Sequence, residues 1–349
     1  MNWGATELQI DYRFIIVDRV TRQEKGQITD ITGGMIERKY LSNLKEGASL
    51  DWDNTYQLSQ VGNDYLRIYL IASDGNETEQ VALGTFMVST PTQTISALGI
   101  SGTADCYSVL QTLEDEQVPG SYKVAAGTNL IDKAVAILRE RNLTVTPTLS
   151  TATLSNPLVF DNQSTMLDVL TGICDAAGYD SPGIDPYGNI ILKPYESPTG
   201  RPPAIIYDDY STVAFLEATH EFDWFSVPNR INVVCSTSDT VITGYAENHN
   251  PDSPFSIESR GRVISQNIDV QNITTSAQAT TRAKRELSEL TAVESFEVTH
   301  LYDDSRLGMQ IGYRIGDFAV DGSITTQTIN LDEGCTVTDH ARVFVYVGD

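Results

Sequence analysis

Apolar and polar side chains alternate one by one through both ends of this chain, and between them lies a stretch whose apolar residues recur at helical spacing. That order constrains the fold most. Leu8-Gln9-Ile10-Asp11-Tyr12-Arg13-Phe14 has the period of a half-buried strand, and Leu66–Leu70 repeats it. Ser73-Asp74-Gly75-Asn76 is a turn signal and Val81–Val88 a returning strand, so 65–88 is predicted as a hairpin, with a further strand over Thr94–Ile100. No helical period competes there. Residues 1–104 therefore read as a first β unit.

From Asp105 the spacing changes. Cys106, Val109, Leu110 and Leu113 predict a helix over Asp105–Glu114, with Asp105 able to cap it. A stronger helix follows over Thr128–Arg139: Leu130, Ile131, Ala134, Val135, Ile137 and Leu138 form one face, and Thr128 or Asn129 caps it. Pro157–Phe160 reads as a strand. Ser164 opens another helix with Met166, Leu167, Val169, Leu170, Ile173, Cys174 and Ala177 inward and Gly178 placed for a left-handed cap. Tyr179–Ile184 and Ile190–Lys193 then form a hairpin about Asp185–Asn189. Residues 105–200 are thus a small α+β domain, ended by the linker Ser197–Pro203. Residues 201–349 return to β texture, at 205–207, 214–219, 231–235, 241–245, 295–301, 309–315 and 342–347. One helix over 276–291 interrupts them, with Ala279, Ala283, Leu287 and Leu290 inward and Arg282, Lys284, Arg285, Glu286 and Glu289 outside. The first unit could also be completed by strands from 205–240.

Charge narrows the partners. Lys and Arg number 23 against 47 Asp and Glu, a net charge of −24. A nucleic-acid reader needs a basic footprint, and anionic membrane surfaces repel such a chain. The imbalance is uneven: residues 1–45 hold seven basic and six acidic side chains, while 142–229 have only Lys193 and Arg201 against eleven carboxylates. No apolar run reaches the length of a membrane span, and the N-terminus lacks a signal peptide's basic and apolar regions, so synthesis in a cytoplasm without export is expected. Cys106, Cys174, Cys235 and Cys335 lie 68, 61 and 100 residues apart, which fits neither a zinc knuckle nor a redox pair; buried reduced thiols are expected.

A search for chemistry returns little. His220, His249, His300 and His340 have no metal-ligand spacing and read as surface or strand imidazoles. Asp51-Trp52-Asp53-Asn54 begins like a calcium loop, but Tyr56 stands at the glycine position and no Glu closes it. The pairs within Glu114-Asp115-Glu116, Asp208-Asp209 and Asp303-Asp304 are what a chain with 47 acids produces by chance. Arg260-Gly261-Arg262 could take a phosphate or a neighbouring subunit's carboxylates, with salt bridging favoured for it and for Arg282-Lys284-Arg285. No catalytic, cofactor-binding or metal-ligating residue is assigned, and no enzyme activity is expected.

Several runs together resemble a known family. Gly102–Gln111, Tyr122–Asn129, Asn156–Phe160, Ala176–Tyr179, Asp185–Asn189, Asn229–Val234, Ala246–Asn248, Asp252–Ile257, Arg260–Arg262 and the helix at 276–291 are similar to the tail-hub (tail-tip) proteins of siphophages, relatives of contractile baseplate hubs and type VI spikes. The likeness covers roughly 100–315, and the first hundred residues by texture only. It rests on turn and packing signatures. The resemblance implies a mixed, β-rich α+β protein: two tube-type β-barrel or sandwich domains, 1–104 and 201–349, with the α+β domain 105–200 inserted. It further implies a homotrimer in the virion tail, adapting the hexameric tail tube or distal tail protein to threefold tip, fibre or receptor-binding parts, beside a tape measure protein. DNA would pass through an acidic channel without specific binding, and no cofactor or membrane insertion is implied. Many such relatives extend into a wall-cleaving or fibre-like domain, which is not expected here because the chain stops at Val347-Gly348-Asp349. The competing readings are a receptor- or carbohydrate-binding tip module and, more remotely, a cell-wall-degrading enzyme.

Overall fold

The computed structural model describes residues 3–4, 7–53, 57–97, 99–154, 156–198, 200–222, 225, 227–236, 241–270, 273, 275–290 and 294–344. The first run of strands is β1 (Gln9–Val17), β2 (Glu24–Ile28), β3 (Ile31–Lys39), β4 (Glu46–Asp53), β5 (Tyr65–Ser73), β6 (Thr78–Pro91), β7 (Thr94–Ser96) and β8 (Gly99–Ser108). They pair in the order β3-β4-β8-β6-β5-β1-β2, with β7 folded back on β8. Alternation puts Ile36, Leu50, Trp52, Leu66, Ile68, Leu70 and Phe86 into one core. Gly102 serves that core directly, since a Cβ there would lie 1.9 Å from the Thr92 carbonyl oxygen and 2.5 Å from Trp52 Cζ2.

The predicted 65–88 hairpin is β5-β6, turned at Asp74, whose Oδ1 accepts from the backbone N–H of Asn76 and Glu77. Two expectations are corrected. Thr94–Ile100 is not one strand; it holds the turn between β7 and β8, with Ser96 opposite Gly99. Asp105 caps no helix either. Ala104, Cys106 and Ser108 point inward from β8 at period two, and the pairing with β4 and β6 carries the strand to Ser108. Helix α1 is only Gln111–Glu114.

The middle region adds β9 (Tyr122–Val124), α2 (Leu130–Glu140), β10 (Val145–Pro147), β11 (Leu158–Phe160), α3 (Met166–Ala176), β12 (Gly183–Ile184) and β13 (Ile190–Leu192). Asn129 caps α2 by accepting from the Asp132 N–H at 3.0 Å. Thr165, one residue after the expected Ser164, caps α3 in a reciprocal box with Asp168. Gly178 takes φ +74° and closes that helix. The apolar faces of both helices share one core with Ile15, Val17, Tyr65 and Tyr69 of the β sheet. Both faces of β1 are therefore buried near its end, which explains the unbroken run Phe14-Ile15-Ile16-Val17.

The last region comprises β14 (Ile205–Asp208), β15 (Ala214–Phe222), β16 (Arg230–Ser236), β17 (Val241–Glu247), α4 (Ile257–Arg260), β18 (Ser265–Asp269), α5 (Ser276–Leu290), β19 (Glu294–Leu301), β20 (Gln310–Ile315), β21 (Phe318–Asn330) and β22 (Thr336–Val343). β14 pairs with β20 and β15 with β19, rather than with strands of the first unit. These strands surround a second core of Tyr207, Phe296, Val298, Ile311, Tyr313 and Ile324. Helix α5 sits on a separate three-stranded sheet, β17-β16-β18, with Ala279, Ala283 and Leu287 against Ile231, Val233 and Ala246. Gly244 permits that approach, because a Cβ there would fall 2.3 Å from the Thr280 nitrogen.

The two β lobes are one sheet. Phe318–Ile315 pairing holds the start of β21 on β20, while its end, Thr326–Asn330, pairs with β3. Ile324 and Ala341 belong to the second core, and Ile329 and Val337, a few residues along the same two strands, to the first. The resulting fold is β-rich, two β lobes with a small α+β insert, in agreement with the class read from the sequence.

Candidate functional site: a polar junction of lobes and insert

Where the β3–β4 turn, the insert and α5 meet, three side chains converge on Asp180. Tyr40 donates its hydroxyl to Asp180 Oδ1 at 3.0 Å. Lys193 and Arg285 approach the same carboxylate, each at 3.7 Å. Arg285 also pairs with Glu289 at 3.0 Å, donates to the Tyr179 carbonyl at 3.1 Å and lies over the Tyr195 ring at 4.2 Å. Arg282 bridges Asp175 and Glu286, both at 2.7 Å. The helix face expected to be outside is thus packed on the insert. Asp175 and Asp180, acids of the cation-poor stretch, find in α5 the cations their own neighbourhood lacks.

Beneath this cluster Lys45 adopts a left-handed backbone (φ 64°), which few non-glycine residues do. Its ammonium turns inward to the Tyr40 carbonyl at 2.5 Å and Ser181 Oγ at 2.6 Å. Burial pulls its pKa down to about 8, against the opposing charge of Asp180. Next to it, Glu46 keeps only a 3.6 Å contact with Arg38 Nε, and its Oε1 has no hydrogen-bond partner. Burial pushes this carboxyl up to about 7, with Arg38 opposing the shift and Asp185 adding to it. Lys45 and Glu46 line a cleft of about 280 Å³, walled by Ile184, Pro186, Ile191 and Leu307, with Arg306 exposed among its lining residues.

A second polar chain runs through the lobe junction. Arg38 donates to Gln327 Oε1 at 2.6 Å and to the Leu83 carbonyl. Gln327 Nε2 donates to Asp339 Oδ1 at 2.9 Å and to Ser305 Oγ at 3.0 Å. Asp339 Oδ2 faces His300 Nε2 at 3.2 Å, and His300 Nδ1 faces the Leu301 carbonyl at 2.7 Å. Both ring nitrogens therefore meet acceptors, the arrangement of an imidazolium. Burial lowers the pKa of His300, but the Asp339 hydrogen bond and the charges of Asp303 and Asp339 more than offset it, so the value is raised. Tyr207 completes the chain, donating to Asp303 Oδ2 at 2.7 Å. His300 and Asp339 are fully buried, so no substrate could reach them: the chain locks β19, β21 and β22 together.

The other residues singled out in the sequence are engaged locally. Glu116 holds Arg141 at 2.6 Å, Asp208 caps the turn at Tyr210, and Asp209 accepts from the Gly316 N–H. Trp52 of the calcium-like run is buried in the first core. Arg260 lies over Phe255 and Arg262 over Phe225. His249 bridges Glu247 and Glu258, and His220 lies 3.7 Å from Glu294. All four cysteines are buried and unpaired. Among the described residues no three His, Cys, Asp or Glu gather as metal ligands. Sequence reasoning missed both polar clusters; the one available signal was the i,i+4 spacing of Arg282 to Glu286 and Arg285 to Glu289.

No family model and no curated protein sequence matches the chain. Solved structures do. A tail protein from Neisseria meningitidis MC58 superposes with a TM-score of 0.68 at 11% identity, covering 95% of this chain and 96% of its own. The 43 kDa tail protein of prophage MuSo2 from Shewanella oneidensis gives 0.64 at 12% identity, covering 95% and 98%. The Escherichia coli c3393 protein, a type VI secretion component with structural similarity to the T4 tail proteins gp27 and gp5, gives 0.53 at 10% identity, covering 96% and 79%. At these identities the likeness is one of fold: this chain folds as these tail proteins and this type VI secretion component do.

Proposed function

We propose that the chain is a structural hub of a bacteriophage tail tip or baseplate, acting in the virion tail without catalysis. The observation that carries this reading is the shared-strand architecture: β21 and β22 place two β lobes side by side in one polypeptide. Three such chains would present six lobes around an axis, and so could join the hexameric tail tube or distal tail ring to threefold tip parts. Superposition over 95% of the chain on tail proteins supports it. The buried polar chain between the lobes fits a part that must hold its lobes at a fixed angle.

The net charge of −24 has a role in this reading. Carboxylates facing a central bore would repel a passing duplex over about 8–10 Å at physiological salt, whereas Lys or Arg would hold it. Tape measure protein, tail tube and fibre proteins would be the neighbours. Mass measurement of purified chain tests the assembly, with a species of three 38.3 kDa chains expected. A density map of intact particles decides the rest: hub density absent from the tail tip, or a ring with a basic bore, would overturn the assignment.

A further inference from the structure

The cleft beside Glu46 is only partly satisfied from within the protein. Its floor carries a buried carboxyl, 5% exposed, whose Oε1 has no partner, beside an ammonium whose three hydrogens meet two protein acceptors. An orphaned carboxylate oxygen in a buried wall is costly. Arg306 is exposed among the lining residues, with no acid within ion-pair distance among the described residues. Between these polar groups the walls are Ile184, Pro186, Ile191 and Leu307. Cations and anions are therefore interleaved. A purely cationic guest would meet Lys45, Lys193 and Arg306, and a purely anionic one Glu46, Asp180 and Asp185.

We propose that this cleft binds a small zwitterion of the amino-acid type, its ammonium on Glu46, its carboxylate on Lys45 and Arg306, and its apolar body against Ile184 and Leu307. The Lys45 ammonium is held in place by its bonds to the Tyr40 carbonyl and Ser181 Oγ, with one hydrogen left for a guest. The about 280 Å³ available suits a ligand of this size. The site is independent of the hub reading, since it needs neither trimer nor tail.

Calorimetric titration of the full chain tests it with three probes: L-leucine, N-acetyl-leucine, which lacks the ammonium, and leucinamide, which lacks the carboxylate. Leucine is expected to bind, and each blocked probe at least ten-fold more weakly. E46Q should abolish leucine binding. R306A, at an exposed position where folding is not at stake, should weaken it about ten-fold. Heat from none of the probes, equal binding of leucine and either blocked probe, or unaltered affinity in R306A would each overturn the proposal.

Discussion

Replacing Asp339 by Asn removes one charge from the buried chain between the lobes and changes almost nothing else in shape. In the native protein Asp339 balances the His300 imidazolium at 3.2 Å and accepts from Gln327 at 2.9 Å. Asn can keep the Gln327 bond through its oxygen, but it leaves a positive ring with only Asp303, 3.6 Å from Nδ1, to oppose it. Breaking one side of a buried pair costs about 3–5 kcal/mol. The pH dependence follows from the raised His300 pKa. Its ordinary value is 6.5, so the native pair's contribution is full below that and fades as pH rises through the higher folded-state value. D339N should therefore lose the full amount near pH 6. At a pH above that folded-state value, with the ring neutral, the loss should fall to about 1 kcal/mol, that of an exchanged hydrogen bond. Urea unfolding followed by tryptophan fluorescence at both pH values measures this. A loss below 1 kcal/mol at pH 6, or the same loss at both, would refute the imidazolium assignment.

Other expectations rest on separate features. G102A should destabilise by about 1–3 kcal/mol in the same urea assay, because its methyl group meets the Thr92 backbone and the Trp52 ring; a neutral result would mean the sheet yields there. N129A and T165A should each cost about 1 kcal/mol through loss of a helix cap, seen as faster amide exchange in the first turns of α2 and α3. R285A should loosen α5 from the insert, so that amide exchange rises over 276–290 while the β lobes stay protected. Burial pushes the Cys106 and Cys335 thiols up to about 12, so iodoacetamide at pH 8 should leave the native chain unmodified and label all four cysteines in urea.

The helices were readable wherever their signals are local. α2 and α3 have apolar faces repeating within four residues and caps three residues from their targets, and both appear within a residue or two of their expected ends. Asp105–Glu114 misled because Cys106, Val109, Leu110 and Leu113 fit a helical spacing as well as the end of a strand and a single turn. Only the pairing of β8 with β4 and β6 decided between them. The polar face of α5 misled for another reason: an Arg-Glu surface reads as solvated until a partner carrying unmatched acids is known to lie against it.

By itself, the sequence determined the β, α+β, β order, the acidic charge, the absence of a metal-ligand spacing and the periodic faces of the three long helices. All of these are set by side chains a few positions apart. Tertiary structure alone decided that β21 crosses from one lobe to the other, that Arg38 meets Gln327 and that Glu46 Oε1 is left without a hydrogen-bond partner. Those contacts join segments up to 289 residues apart, and no local period encodes which distant strand will supply the missing donor, acceptor or charge.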